Sequence, residues 1–149
     1  MPSNDSAAAL TSLRGACTLL GVYDMPTSVR FYRDQLGFEI ISTSPVLGPD
    51  RFHWCLLRNG EAELMLNSAF EFDHERPVPP EPFRVRAHDD TCLYLSCPDV
   101  DAAHAELRAR GVAVQPPKIA SYGMKQMYLK DPDGFVLCYQ WPDGSQHSF

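Results

Sequence analysis

Few side chains in this sequence are of types that do chemistry, and their spacing narrows what chemistry is open. Five cysteines stand at positions 17, 55, 92, 97 and 138. The number is odd, the spacing is wide, and no Cys-x-x-Cys pair occurs. A secreted disulfide framework is therefore not expected, and a reducing cytoplasm fits better. Cys55 and Cys97 read as packing thiols. The five histidines do not converge either. His53 neighbours Trp54 on one apolar run, and His104 lies off the apolar stripe of a helix, where it is expected to be solvated. His74 and His88 fall in a connecting segment, and His147 falls in the tail. No Ser-His-Asp or Cys-His arrangement follows from their order, and no Gly-rich phosphate loop is present. No catalytic residue and no cofactor are assigned; only Glu63 and Tyr128 remain as groups that could serve as acid or base without a metal.

The elements that must position these groups come in two similar sets. Ala16 to Val22 is apolar and predicts a strand. Asp24 and Pro26 open a helix, since Asp caps the first turn and Pro is tolerated in it. Met25, Val29, Tyr32 and Leu36 recur on one helical face. Gly37 ends that helix as a left-handed C-terminal residue. A strand follows over Phe38 to Thr43. Phe52 to Leu57 and Ala62 to Asn67 flank Arg58-Asn59-Gly60-Glu61, and Asn-Gly between apolar runs is a strong hairpin signal. Residues 70–90 carry Pro77, Pro79, Pro80 and Pro82 among charges and read as a long connection, too Pro-rich for a helix.

The pattern then restarts. Cys92 to Ser96 predicts a strand, and Asp99 or Asp101 caps a helix with the inner stripe Val100, Ala103 and Leu107, ended by Gly111. Val112 to Gln115 predicts a short strand. Met124 to Lys130 and Phe135 to Trp141 flank the turn Asp131-Pro132-Asp133-Gly134. Cys17 to Asp24 and Cys92 to Asp99 are each seven residues, and Asp24 to Gly37 and Asp99 to Gly111 are thirteen and twelve. A duplication of one β-α-β-β-β unit explains this. The expected organisation is a tail over 1–13, a first module over 14–69, the Pro-rich linker over 70–90, a second module over 91–141 and a tail over 142–149.

One helix can cover only one face of a four-stranded sheet, so the other face must meet a ligand, the sister module or another subunit. Alternation assigns the faces. Ala62, Leu64 and Leu66 belong with the helix, which leaves Glu63, Met65 and Asn67 opposite. Leu137 and Tyr139 belong with the second helix, which leaves Val136, Cys138 and Gln140 opposite. Phe52, Trp54 and Leu56, and likewise Met124, Gln126 and Tyr128, are placed on the open faces. Tyr122-Gly123-Met124 reads as a loop that contacts ligand, its Gly allowing close backbone approach. Such a lining suits an organic ligand with scattered polar groups, and the same residues could instead fill an intersubunit core.

Composition excludes several partners. The chain has 149 residues, 44% of them hydrophobic, and a net charge of −6. The Lys and Arg are unclustered, which argues against nucleic acid. No stretch approaches the ~18 apolar residues of a membrane span. Asp5 stands where a signal peptide would carry positive charge.

These residues resemble the vicinal-oxygen-chelate superfamily, which includes glyoxalase I, extradiol dioxygenases and the fosfomycin- and bleomycin-resistance proteins. The resemblance covers about residues 15–141. It is carried by DMPTSVRFYRDQLG at 24–37, Glu63-Leu64-Met65-Leu66, DVDAAHAELRARG at 99–111, and Tyr122-Gly123-Met124 followed by Asp131-Pro132-Asp133-Gly134. The last features are most similar to the bleomycin-resistance branch. That resemblance implies drug binding and sequestration in the clefts of a homodimer, without a reaction. It also implies an α+β fold of paired βαβββ modules with incurved mixed sheets. The superfamily's enzymes hold a divalent metal with His, Gln or Glu. The matching positions here are Cys17, Cys92, Cys138 and, by face, Glu63; counting from Gly60 gives Leu64 instead. An iron dioxygenase needs two His and a carboxylate, which this set lacks. A glyoxalase needs a basic carboxylate where Cys138 stands. Three thiolates plus Glu63 would close a tetrahedral zinc site, structural rather than catalytic; the alternative is that the thiols simply pack.

The expected function is metal-independent binding of a small organic ligand, aromatic or cationic, by a cytoplasmic homodimer. A metal-dependent lyase or dioxygenase of the same superfamily is the alternative. The expected ligand-binding residues are Trp54, Glu63, Met65, Tyr122, Met124, Gln126, Tyr128 and Cys138, with no metal ligands.

Overall fold

Asp24 stops the first strand and starts the first helix. Its carboxylate accepts from the Thr27 backbone N–H, and Pro26 occupies a first-turn position where no donor is lost. This junction belongs to a computed structural model that describes residues 10–144. Strand β1 (Thr18–Val22) leads through α1 (Met25–Val29), which widens into a π-helical stretch over Arg30–Gln35, to β2 (Glu39–Thr43), β3 (Trp54–Asn59) and β4 (Ala62–Ser68). The π-stretch passes a bond from Leu36 N–H to the Phe31 carbonyl. Met25, Val29, Tyr32 and Leu36 are all buried, as their spacing predicts.

The second half repeats the order. Strand β5 (Cys92–Ser96) leads to α3 (Val100–Ala109), β6 (Lys118–Ile119), β7 (Met124–Lys130) and β8 (Val136–Pro142). Asp99, not Asp101, caps α3, accepting from Ala102 N–H. The sheets have equivalent strand orders, β1-β4-β3-β2 and β5-β8-β7-β6. In each, the first strand lies parallel to the last, which requires the helical crossover. Leu20, Leu57, Leu64 and Leu66 of the first sheet and Met127, Leu129, Leu137 and Tyr139 of the second join one buried apolar cluster with the helices.

Four sequence expectations are corrected. Residues 82–87 form a helix, α2 (Pro82–Ala87), inside the connection read as too Pro-rich for one. Pro82 starts that helix, where its missing N–H costs nothing. Val112 to Gln115 is not a strand; the edge strand is β6, and Val112 is buried against the core. Phe52 precedes β3 and is buried, so it does not share the open face with Trp54 and Leu56. His104 is half-buried and its Nε2 is shielded without a partner, where solvation was expected. His147 and most of both expected tails lie outside the described residues.

The two halves are locked by the turn between β7 and β8. Asp131 accepts from the N–H groups of Asp133 and Phe135, each at 2.9 Å, which closes the turn on itself. Its other oxygen accepts from the Tyr32 hydroxyl of the first helix at 2.7 Å. Asp133 accepts from Tyr23 N–H at 2.7 Å and from Ser28 Oγ at 3.2 Å. Arg84, on α2, donates to Asp133 and to the Gly21 carbonyl. His88 stacks on Phe135 and donates to the Asp133 carbonyl. Two buried carboxylates are thus satisfied from the other half of the chain and from the connection.

Candidate functional site

The face of each sheet turned from the helices is built by strand register. In the first sheet Trp54 pairs with Asn67, Leu56 with Met65 and Arg58 with Glu63, while Leu19 of β1 lies beside Met65. Trp54, Leu56 and Met65 are half-buried and Leu19 is 49% exposed. At the end of this face Arg58 holds Glu63 in an ion pair at 2.8 Å. Glu63 is therefore a neutralised carboxylate, not a free one.

The second sheet carries a different surface. Gln126 lies beside Gln140, Tyr128 beside Cys138, and Tyr94 of β5 on the other side of Cys138. The Gln126 amide donates to Tyr122 Oη at 2.8 Å and to Gln140 Oε1 at 2.9 Å, and its oxygen accepts from Tyr128 Oη at 3.3 Å. Gln126 is itself buried, so this network satisfies an amide that would otherwise be costly to bury. Tyr94 and Tyr128 flank Cys138, which is fully buried. Contact with Tyr94, and then burial, push the Tyr128 phenol well above its ordinary value, so it stays protonated at neutral pH. Burial also raises the Cys138 and Cys92 thiols.

Of the expected residues, Trp54, Glu63 and Met65 thus share one face, and Met124, Gln126, Tyr128 and Cys138 share the other, with Tyr122 joined to it through Gln126. The two groups stand on different sheets. Cys138 lies on the expected face but has no exposed surface in the single chain. Tyr94 and Gln140 are added to the second group. Both were accessible to alternation, since Cys92, Tyr94 and Ser96 share one face of β5 and Cys138 and Gln140 share one face of β8. Their meeting with Tyr128 and Gln126 needs the strand order.

Two clefts accompany the faces. The larger, about 900 Å³, lies between β5 and the β3–β4 turn and is walled by Thr18, Phe38, Glu63, Cys92, Tyr94 and Tyr139 among others. A second, about 500 Å³, is lined by Tyr23, Phe52, Phe70, Phe72, Arg51 and Arg76.

The family model for the Glyoxalase/Bleomycin resistance protein/Dioxygenase superfamily matches residues 15–139. The chain belongs to this superfamily. Its solved relatives include TnmS3, an antibiotic binding protein from Streptomyces sp. CB03234. That protein is 28% identical, with 89% of this chain and 100% of that chain covered and a TM-score of 0.63. A glyoxalase/bleomycin resistance protein/dioxygenase from Nocardioides is 22% identical over 97% of this chain and 95% of its own, with a TM-score of 0.66. The bleomycin-binding protein of Streptomyces verticillus, solved with copper(II)-bleomycin, is 23% identical over 87% and 97%, with a TM-score of 0.61. Among curated proteins none matches the sequence. The last two likenesses speak for the fold.

Superfamily membership raises the question of a metal, and the donor set answers it poorly. Cys17 is exposed, Cys92 is half-buried, Cys138 is buried, and Glu63 is tied to Arg58. Among the described residues no three His, Cys, Asp or Glu side chains gather as a metal site. The residues of one chain do not fit the ion, and no step is derived through it. No helix among the described residues is long and apolar enough to cross a membrane.

Proposed function

We propose that this chain binds and sequesters a small organic molecule, without a metal and without transforming it. The carrying observation is the second sheet's open face. It offers phenol and amide groups already bonded to one another, with Tyr128 held protonated. A surface of that kind recognises a ligand by stacking and hydrogen bonding. The 28% identity with an antibiotic binding protein across nearly the whole chain supports the same reading.

The site is proposed to be completed in a homodimer. Leu19, Tyr94 and Tyr128 are each about half exposed on faces that the chain's own helices do not cover. The first sheet of one protomer, with Trp54, Glu63 and Met65, is proposed to face the second sheet of its partner, with Tyr122, Met124, Gln126 and Tyr128. Cys138 lines the wall behind the tyrosines. Five free thiols favour residence in a reducing cytoplasm.

Ring contacts with Trp54 and the tyrosines would each contribute roughly 0.5 to 2 kcal/mol to an aromatic or cationic ligand. A panel of aromatic and glycopeptide drugs, read by fluorescence and thermal shift, tests this. A hit should quench Trp54, and Trp54→Ala should weaken it about tenfold while sedimentation still gives a dimer. A hit that binds the variant as tightly as the native chain removes Trp54 from the site. Stoichiometric zinc in untagged protein, lost on Cys92→Ser, would overturn the metal-independent reading.

A further inference from the structure

The charge and hydrogen-bond polarity of the two open faces narrow the ligand. The chain is acidic, at −6, which by itself would favour a cation. The faces are not acidic. By register the charged side chains on them are Glu39, Arg58 and Glu63 in one terminal row of the first sheet, and Lys118 and Lys130 at the margins of the second. Arg58 neutralises Glu63, and Lys130 is paired with Asp89. The rows of Trp54, Leu56 and Met65 on one sheet and of Tyr94 and Tyr128 on the other hold no charge, and the row of Gln126 and Gln140 holds one, the cation Lys118 on the edge strand beside Gln126. A buried cation would find no counter-charge there, and desolvating it unpaired is costly.

The hydrogen bonds have a direction. Both donor hydrogens of Gln126 are committed, one to Tyr122 Oη and one to Gln140 Oε1. Tyr122 and Gln140 therefore act as acceptors inside the network. The Tyr122 hydroxyl proton and the Gln140 amide hydrogens are committed in none of these bonds. Gln126 is a positioning residue that turns two neighbours into outward donors. Resting on the sequestration reading above, we propose that the site selects a planar, uncharged ligand bearing oxygen acceptors of the ketone type, received by Tyr122 O–H and Gln140 N–H. Donors left facing an apolar or cationic ligand would lose their water without replacement, so the same two groups discriminate against such molecules.

Two tricycles of equal size test this at pH 7: acridone, uncharged with one carbonyl acceptor, and 9-aminoacridine, a cation. Acridone should bind the native chain at least about tenfold more tightly, and its affinity should not change between low and half-molar salt. Tyr122→Phe and Gln140→Leu should each weaken acridone about fivefold and bind 9-aminoacridine more tightly than the native chain does. Tyr122 is 48% exposed, so its variant removes one surface oxygen together with one Gln126 hydrogen bond; a thermal midpoint lowered slightly with an equally cooperative transition verifies the fold. Equal or tighter binding of 9-aminoacridine overturns the proposal, as does acridone binding that neither variant alters, or no binding of either tricycle. If the tricycles fail while the drug panel yields a Trp54-dependent ligand, the donor assignment falls and sequestration stands. If nothing binds from either set, both fall.

Discussion

The two hairpin turns at equivalent places in the repeat have opposite surroundings. Asn59-Gly60, between β3 and β4, is exposed at the rim of the larger cleft. Asp133-Gly134, between β7 and β8, is buried beneath α2 and the first helix. Both glycines have positive φ, 60° and 87°. A Cβ at Gly60 meets nothing within 4 Å, whereas one at Gly134 would lie 2.5 Å from the Val85 carbonyl oxygen. Asn59 reaches only one carbonyl, that of Leu36. Asp131 and Asp133 gather donors from β1, α1 and the connection. The repeated architecture holds two hairpins at equivalent places, and only one of them fastens the halves together. The open faces diverged in the same way: the first is apolar and ends in an ion pair, and the second is a phenol–amide network.

The fastener is broken most severely at Asp133. Asp133→Ala leaves Arg84, itself largely buried, without its carboxylate and should cost about 3–5 kcal/mol. Urea unfolding of the variant measures it; a loss under about 1 kcal/mol would make the contact ornamental. Next comes the glycine pair. Gly134→Ala should cost about 3 kcal/mol, from the close approach and the left-handed backbone together, against about 1 kcal/mol for Gly60→Ala, which has only the backbone term. Equal losses in the same denaturation series would show that the two turns are equivalent after all.

Asp131 sharpens the contrast within a single turn. Burial, reinforced by the neighbouring Asp133, pushes its carboxyl up to about 6, against the lowering effect of the Tyr32 hydrogen bond. The folded chain therefore holds a proton that the unfolded chain has lost between about pH 4 and pH 6. In that window the native state binds more protons, so this group's contribution falls as pH rises and is most favourable below about pH 4. A rise of this size is worth on the order of 3 kcal/mol. Asp131→Asn keeps an acceptor for the two turn N–H groups and removes the charge. It should be as stable as the native chain or more so at pH 8, with a flatter profile through this window, as read by urea midpoints at several pH values. A steeper profile in the variant would reverse the sign. The smallest effect belongs to the exposed fastener of the first face. Glu63→Gln should change stability by less than about 1 kcal/mol, because the Arg58 pair is solvent-screened. A double-mutant cycle with Arg58→Ala measures the coupling directly.

Much of the fold was legible because periodicity reports burial directly. Met25, Val29, Tyr32 and Leu36 had to share a helix face, and Leu64 and Leu66 had to oppose Glu63 and Met65. Alternation also put Trp54, Gln126 and Tyr128 on open faces. It misplaced Phe52, because alternation holds only inside the strand, and β3 begins at Trp54. It missed α2, because four prolines hid a six-residue helix that starts on one of them. His88 was read as a connecting residue, yet it stacks on Phe135 across 47 positions of chain.

The sequence by itself determined the repeated unit, the cap at Asp24, and the split of each strand between core and open face. These depend on interactions between residues a few positions apart, through a helical period, an alternating pleat or one capping bond. Tertiary structure alone decided that Arg84, Tyr23, Ser28 and Tyr32 converge on one aspartate turn, that Arg58 neutralises Glu63, and that Gln126 orients Tyr122 and Gln140. Those partners are set by strand order, register and the packing of one half on the other. Side-chain donors and carboxylates carry no periodic mark of the partner they will find, so their pairing is fixed only when distant backbone segments are brought within hydrogen-bond reach.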